Sequence, residues 1–302
     1  MVDDATPLDD AARVLSRLGG MYRNVDKLRS QTALEGAATL YRRLDDKRQL
    51  ANVLGLLGVM LARSGRREEA KLRLDEALQI LSGTDNKAAL FSFNVYLMKL
   101  ARLSGDNAGA RRHCEGALRL ARELRDDFRE VYLMGSLAEI EFEEGAVDRA
   151  IALAREATTR LRTNKAHGVL RHMMINFASY LAFGVDPSEA RVYAEEALLA
   201  QRDTGGELLR CCLQLWALLA ALDGQYSEAA RLIGYVDAAS AEAGDVREST
   251  EKRIYERLMA ILDAKTPAAN RDRCTAEGAG WNEKRAVEFT INHVIPGPSV
   301  PN

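Results

Sequence analysis

Proline is nearly absent from the interior of this 302-residue chain: of six prolines, only Pro187 lies between residues 8 and 266. A stretch that free of proline, with no apolar/polar alternation of β-branched residues, excludes a sheet-rich fold and predicts an all-α protein. Aromatic residues make up 6% of a chain that is 47% apolar, so alanine and leucine must carry the core. A charge excess is missing too. With 42 Lys and Arg against 44 Asp and Glu the net charge is −2, which argues against direct nucleic-acid binding. The longest apolar runs, near residues 56–62 and 215–222, fall short of a membrane span. Met1 is followed by the polar run Asp3, Asp4, Ala5 and Thr6, which lacks the basic and apolar regions of a signal peptide. These absences predict a soluble, cytoplasmic protein that does not associate with membranes. Four cysteines, at 114, 211, 212 and 274, are too widely spread or too directly adjacent for a disulfide framework or a CxxC metal site. Reduced thiols are expected.

What is abundant is periodicity. Alanines at 70, 110, 150 and 190 are each followed seven residues later by Ala77, Ala117, Ala157 and Ala197, an unbroken 40-residue repeat. A unit of this length is the signature of stacked helical pairs, in which neighbours complete one another's core. In residues 51–84, Leu54, Leu57, Gly58 and Leu61 form one helix face, Gly65 breaks the helix, and Ala70, Leu74, Ala77 and Leu81 form a second face. Turns are then predicted at Gly105, Gly145, near Val185 and at Gly224. In the fourth unit Asp186 can cap a helix that has Pro187 at its first position and Glu189 beyond. The pattern matches tetratricopeptide repeats and predicts a right-handed superhelical solenoid of helix pairs.

The domain reading follows from the period. Residues 1–7 are expected to be disordered, 8–50 to form a degenerate N-terminal repeat or cap, and 51–240 to form five repeats. Residues 241–292 read as a C-terminal helical cap, with an amphipathic helix, a polar glycine-containing link and a short helix around 283–291. Residues 293–302 read as a disordered tail. Arg42, Arg122, Arg162 and Arg202 also lie on the 40-residue grid near the ends of second helices, where a cation complements the helix dipole.

The linkers Arg42-Arg43-Leu44-Asp45-Asp46 and Arg122-Glu123-Leu124-Arg125-Asp126-Asp127 resemble a particular tetratricopeptide branch, the carboxyl-terminal region of bacterial STAND-type predicted ATPases that act as transcriptional regulators. The likeness extends to the block Ala229–Ala238, to Glu248–Glu251 and Tyr255–Leu258, and to Ala276–Ala279. It implies a sensor or regulatory arm that normally follows an effector domain and a nucleotide-binding domain. No Gly-Lys dipeptide occurs, so no P-loop is present in this sequence. The expectation is an excised domain or a free-standing relative.

In tetratricopeptide stacks, positions 2, 5, 9 and 12 of each repeat point into a concave groove. Transferred to this chain, they give the binding candidates Asn52, Lys99, Arg102, Tyr132, Glu139, Phe142, His172 and Ser179, with Val59, Ser92, Ile175 and Gln214 at equivalent positions. Lys99, Arg102 and Tyr132 are the most ligand-like, since two cations beside an aromatic ring suit a peptide carboxylate or an acidic side chain. His167 and His172 are five apart, wrong for a helical zinc pair. Cys211 and Cys212 point to different helix faces, one core and one semi-exposed. Glu68-Glu69, Glu143-Glu144 and Glu195-Glu196 are helix neighbours that do not face each other, and so read as surface charge. No catalytic set, cofactor or metal is expected. The expected partner is a protein or peptide, with a small-molecule effector as the other ligand class, and self-association is left open. The competing reading is a stand-alone scaffold for protein assembly or oligomerisation.

Overall fold

A computed structural model describes residues 7–22, 26–82, 87–163, 167–184, 187–202 and 205–295. Among these residues helix is the only regular structure: an all-α, helical-repeat solenoid of consecutive packed pairs. The expected N-terminal disorder over 1–6, the turn at Val185 and the Asp186 cap lie outside the described residues.

First helices are α3 (Lys47–Arg63), α5 (Lys87–Leu103), α7 (Asp127–Glu143), α9 (His167–Ala182) and α11 (Glu207–Leu222). Their second helices are α4 (Arg67–Leu81), α6 (Asn107–Glu123), α8 (Val147–Thr163), α10 (Ser188–Gln201) and α12 (Tyr226–Ala243). The first helices start 40 residues apart, at 47, 87, 127, 167 and 207. Residues 8–43 supply a further pair, α1 (Leu8–Tyr22) and α2 (Lys27–Arg43). Beyond α12 come α13 (Ser249–Lys265), α14 (Ala268–Ala279), α15 (Glu283–Phe289) and a π-helical turn over Thr290–Val294. Residues 293–295, expected in a disordered tail, are thus placed in and just after that turn, and 296–302 lie outside the described residues.

Two compact units divide within α7, at residues 140 and 141. In the first unit α1 packs on α2, α3 on α4 and α5 on α6, with α2 against α3 and α4 against α5. The repeat alanines make this approach possible. Ala37, Ala70, Ala77, Ala110 and Ala117 have no solvent exposure, and a Cβ added at Gly58 would sit 2.8 Å from Leu74 Cγ and 3.2 Å from the Ala70 carbonyl oxygen. Gly65 and Gly105 turn the chain at φ +74° and +73°, a conformation L residues avoid. Helix starts are fixed by aspartates: Asp26, Asp46, Asp106 and Asp126 accept from the backbone N–H of Arg29, Gln49, Gly109 and Arg129 at 2.8–3.0 Å. Each such cap contributes about 1 kcal/mol. The Asp-Asp and Arg-Asp-Asp linkers therefore combine a left-handed residue, Asp45 or Arg125, with the cap of the next helix.

The second unit continues the pattern through α8 to α12, with Ala150, Ala157, Ala190 and Ala229 fully buried. The grid arginines do more than face a dipole. Arg162 on α8 reaches Glu196 on α10 at 2.5 Å, as Arg42 on α2 reaches Glu76 on α4 in the first unit. Both pairs join successive second helices at a spacing of 34. After α12 the unit departs from the repeat: α13 packs against α11 and α9, whereas α14 packs on α12. The α12 and α14 backbones nearly touch, since a Cβ at Gly278 would meet the Arg231 carbonyl oxygen at 1.8 Å and one at Gly234 the Thr275 carbonyl oxygen at 2.1 Å.

The polar link expected between α13 and the last helix is corrected, because residues 268–279 are helix. Its sequence AANRDRCTAEGA buries only Cys274 and Gly278. A helix that docks through backbone contact leaves no apolar stripe to read.

Candidate ligand-binding faces

In the first unit the candidates lie on α3, α5 and α7. Tyr96 of α5 reaches back to Asn52 of α3, its hydroxyl 3.4 Å from the Asn52 carbonyl oxygen, and a Cβ at Gly55 would fall inside that ring at 2.0 Å. Burial pushes the Tyr96 hydroxyl pKa upward. Asn52 is therefore half-buried and partly used in joining repeats. Arg102 of α5 donates from Nη1 to Glu139 Oε2 of α7 at 2.8 Å, with the two side chains 24% and 16% exposed. Two residues proposed for ligand contact thus neutralise each other, which corrects the expectation of two available cations beside Tyr132. Lys99 and Tyr132 remain. Lys99 is half-buried, with no ion pair among the described residues, and Tyr132 is exposed at 37%. Lys99 lies three residues before Arg102 on the same helix face, and Tyr132 lies seven before Glu139. Lys99 and Tyr132 thus stand on successive first helices, each N-terminal to the ion-paired residue of its own helix.

In the second unit Phe142 and Ser179 are buried and His172 is half-buried, which corrects the expectation that these positions face an open groove. Phe142 is fully buried, with its ring centroid 4.7 Å from Tyr180 and 5.0 Å edge-on from Phe183. Arg253 of α13 lies over the Phe142 ring at 4.2 Å. Ser179 is buried and donates to the Ile175 carbonyl oxygen at 2.8 Å. His172, half-buried, approaches Asn176 Nδ2 at 3.3 Å through Nε2. His172, Ile175 and Ser179 line a narrow recess with Cys211, Gln214, Thr250, Glu251 and Ile254. The His167 side chain lies outside the described residues. Helix α13 closes the face that the repeat rule leaves to a ligand.

The junction of α11 with α13 is polar. Cys211 Sγ donates to Glu251 Oε1 at 2.8 Å, Gln214 Nε2 to the Glu251 carbonyl oxygen at 2.8 Å, and Arg247 Nε to Gln214 Oε1 at 2.7 Å. Glu251 also caps its own helix, accepting from the Glu248 N–H at 3.0 Å. Arg247 pairs with Asp237, and Arg210 with Asp245. Burial first, and then the neighbouring Glu248, lift the Glu251 carboxyl above its ordinary value. Burial and Glu251 raise the Cys211 thiol well above its own. Cys212 faces the core, its thiol pushed by burial up to about 12. None of these thiols is activated, since a reactive cysteine needs a lowered pKa.

Among the described residues no three His, Cys, Asp or Glu side chains are arranged to hold a metal ion, and no helix is long and apolar enough to cross a membrane. The paired carboxylates are surface or half-exposed. The buried acid that pairwise reading missed is Glu141, 1% exposed and paired with Arg149 at 3.4 Å.

The chain matches no protein-family model and no curated protein. It does resemble solved structures. The Rap conjugation gene regulator of the plasmid pLS20, in complex with the Phr* peptide, aligns over 93% of this chain and 82% of that one at 16% identity, with a TM-score of 0.53. BtubC (BKLC) from P. vanneervenii aligns over 92% of this chain and 94% of its own at 16% identity and a TM-score of 0.49. A circular tandem repeat protein of novel repeat topology scores 0.24 over 95% and 83%, again at 16% identity. At such identity the first likeness shows the fold alone, and the other two carry no argument. This chain has the helical-repeat fold.

Proposed function

We propose that the chain is a non-enzymatic helical-repeat module that binds a peptide or protein segment on the first-helix face of its first unit, with Lys99 and Tyr132 as the principal contacts. What supports this reading is a cation without an ion-pair partner among the described residues, Lys99 of α5, and an exposed ring, Tyr132 of α7, on successive first helices that the Arg102–Glu139 pair ties together. A lysine ammonium and an aromatic ring on one face suit a carboxylate on an otherwise apolar or aromatic partner. The fold-level analogy with a regulator solved in complex with a peptide supports the ligand class and nothing finer.

We further read the module as the sensor or regulatory arm of a bacterial STAND-type transcriptional regulator, acting in the cytoplasm. That reading rests on the linker and carboxyl-terminal blocks described above. An in-frame ATPase segment upstream in the source genome supports it, and a free-standing reading frame removes it. The binding role itself is tested by selecting a random peptide library on the purified chain and measuring the recovered peptides against Lys99→Ala/Tyr132→Ala.

A further inference from the structure

Helix α13 is the element of the second unit that breaks the first-helix, second-helix order, because it lies across the first helices α9 and α11. Its neighbours in sequence stay with the other layer: α12 belongs to the last repeat, and α14 is held on α12 by the Gly234 and Gly278 contacts. The chain therefore leaves the stack at residues 244–248, crosses the inward face and returns at Thr266 and Pro267. What crosses is an amphipathic helix. Ile254, Leu258 and Leu262, four apart, are buried, while Arg253 and Arg257 flank them. Arg253 stacks on Phe142 and on Phe183 at 4.2 and 5.3 Å, and Arg257 stacks on Phe183 at 4.6 Å and donates to the Ala182 carbonyl oxygen at 2.8 Å.

This docking carries polar costs that a permanent core helix does not need. Arg253 Nη1 is shut from solvent and has no hydrogen-bond partner among the described residues. Burial depresses Arg257 and raises Glu251. Unpaired or desolvated ionisable groups weaken an interface relative to apolar ones of the same shape. The face beneath is complementary in the manner of a groove that holds an amphipathic helix: apolar anchors in line, and rings and a free carbonyl for the guanidinium groups.

We propose that α13 is a ligand in cis: it occupies the inward face of the second unit as an external amphipathic helix with arginines four apart would, and such a helix from a partner displaces it. The inference rests on the reading that first-helix faces of this chain are binding surfaces. It assigns the second unit a partner chemistry, an arginine-bearing helix, opposite to the carboxylate expected at Lys99.

The probe is a fluorescein-labelled peptide of residues 249–265, added to the full chain. Against Arg253→Ala/Arg257→Ala, which loosens the internal copy and leaves the receiving rings intact, binding at least tenfold tighter than to the unaltered chain is expected, and the same peptide with both arginines changed to alanine should not bind. A second readout is alkylation of Cys211, located by mass spectrometry and referred to buried Cys114: it should rise several-fold in the double variant. Should that variant fail to fold, Glu251→Gln replaces it. This change removes a buried ionisable group from the α13 interface, so amide hydrogen exchange of residues 249–265 should slow several-fold, and unchanged exchange overturns the proposal. Unchanged Cys211 reactivity with no peptide binding overturns the proposal and makes α13 a fixed core helix. Raised reactivity without peptide binding overturns the ligand-like role. Neither readout involves Lys99 or Tyr132, so loss of binding at the first unit with success here, or the reverse, separates the two readings.

Discussion

Arg102 on α5 and Glu139 on α7 form an ion pair of 2.8 Å across 37 residues, each less than a quarter exposed. Both were candidates for ligand contact, yet their geometry ties neighbouring first helices. Replacing Glu139 with alanine leaves a half-buried guanidinium short of an acceptor, and the loss should be roughly 1–3 kcal/mol. The double variant Arg102→Ala/Glu139→Ala should cost less than the sum of the two single changes, because each single change leaves a charged partner behind. Urea denaturation of the four chains checks this coupling, and additive losses would mean that the pair does not join the helices.

Ala110 sits where α6 meets its neighbours with no exposure, while Arg67 at the start of α4 is exposed. Ala110→Leu should overpack the stack by about 1–3 kcal/mol, and Arg67→Ala should leave the denaturation midpoint unchanged within error. Equal shifts would show that the alanine grid does not mark the closest approach.

Gly278→Ala should destabilise the second unit strongly, since its Cβ would lie 1.8 Å from the Arg231 backbone and neither helix can yield through a side chain. The same change at Gly20, which has nothing within 4 Å, should be neutral or stabilising, because alanine favours helix over glycine. Thermal melts of both variants are sufficient.

Glu251 gives the second unit a pH dependence whose sign follows from its raised pKa. The folded state holds the proton more tightly than the unfolded chain. The associated stability is therefore fully present below the unfolded value near 4.5 and is lost as pH rises through the folded value. The groups around it are Glu248 on its own helix, Cys211 and Glu207 on α11, Arg247 and Asp245 in the linker, Arg210 on α11, and His172 across the recess. Glu251→Gln should be more stable than the unaltered chain at neutral pH, with the gap closing towards pH 4. A constant gap from pH 4 to 8 would show that Glu251 titrates as it does in the unfolded chain.

The repeat was legible because its cause is local: an alanine every 40 residues where two backbones approach, and a glycine at φ near +75° to turn the chain. The register of second-helix salt bridges is equally present in the sequence, as Arg42 with Glu76 and Arg162 with Glu196. The segment after α12 is not legible in the same way. Helix α14 docks through Gly234 and Gly278, which leave no apolar periodicity, so its sequence reads as a link. The positional rule leaves the first-helix face of the second unit to a ligand because it takes no account of a later helix folding back. Two signals for that return were present. Phe142 and Ile175 are too apolar for positions meant to face water, and Ile254, Leu258 and Leu262 form a stripe that requires a partner.

The central claim is that a carboxylate-bearing peptide or protein segment binds the first-helix face of the first unit. Its most direct measurement is fluorescence anisotropy of library-selected peptides against the unaltered chain, against Lys99→Ala/Tyr132→Ala, and against Arg112→Ala/Arg119→Ala, which removes two exposed cations from the second helix α6. The account predicts peptides with an acidic side chain or free carboxylate beside an apolar residue, affinity lost at least tenfold in the first variant and kept in the second, and weakening with salt, since exposed attraction is screened over about 8 Å at physiological ionic strength. Full affinity in Lys99→Ala/Tyr132→Ala, with loss in Arg112→Ala/Arg119→Ala, would contradict it.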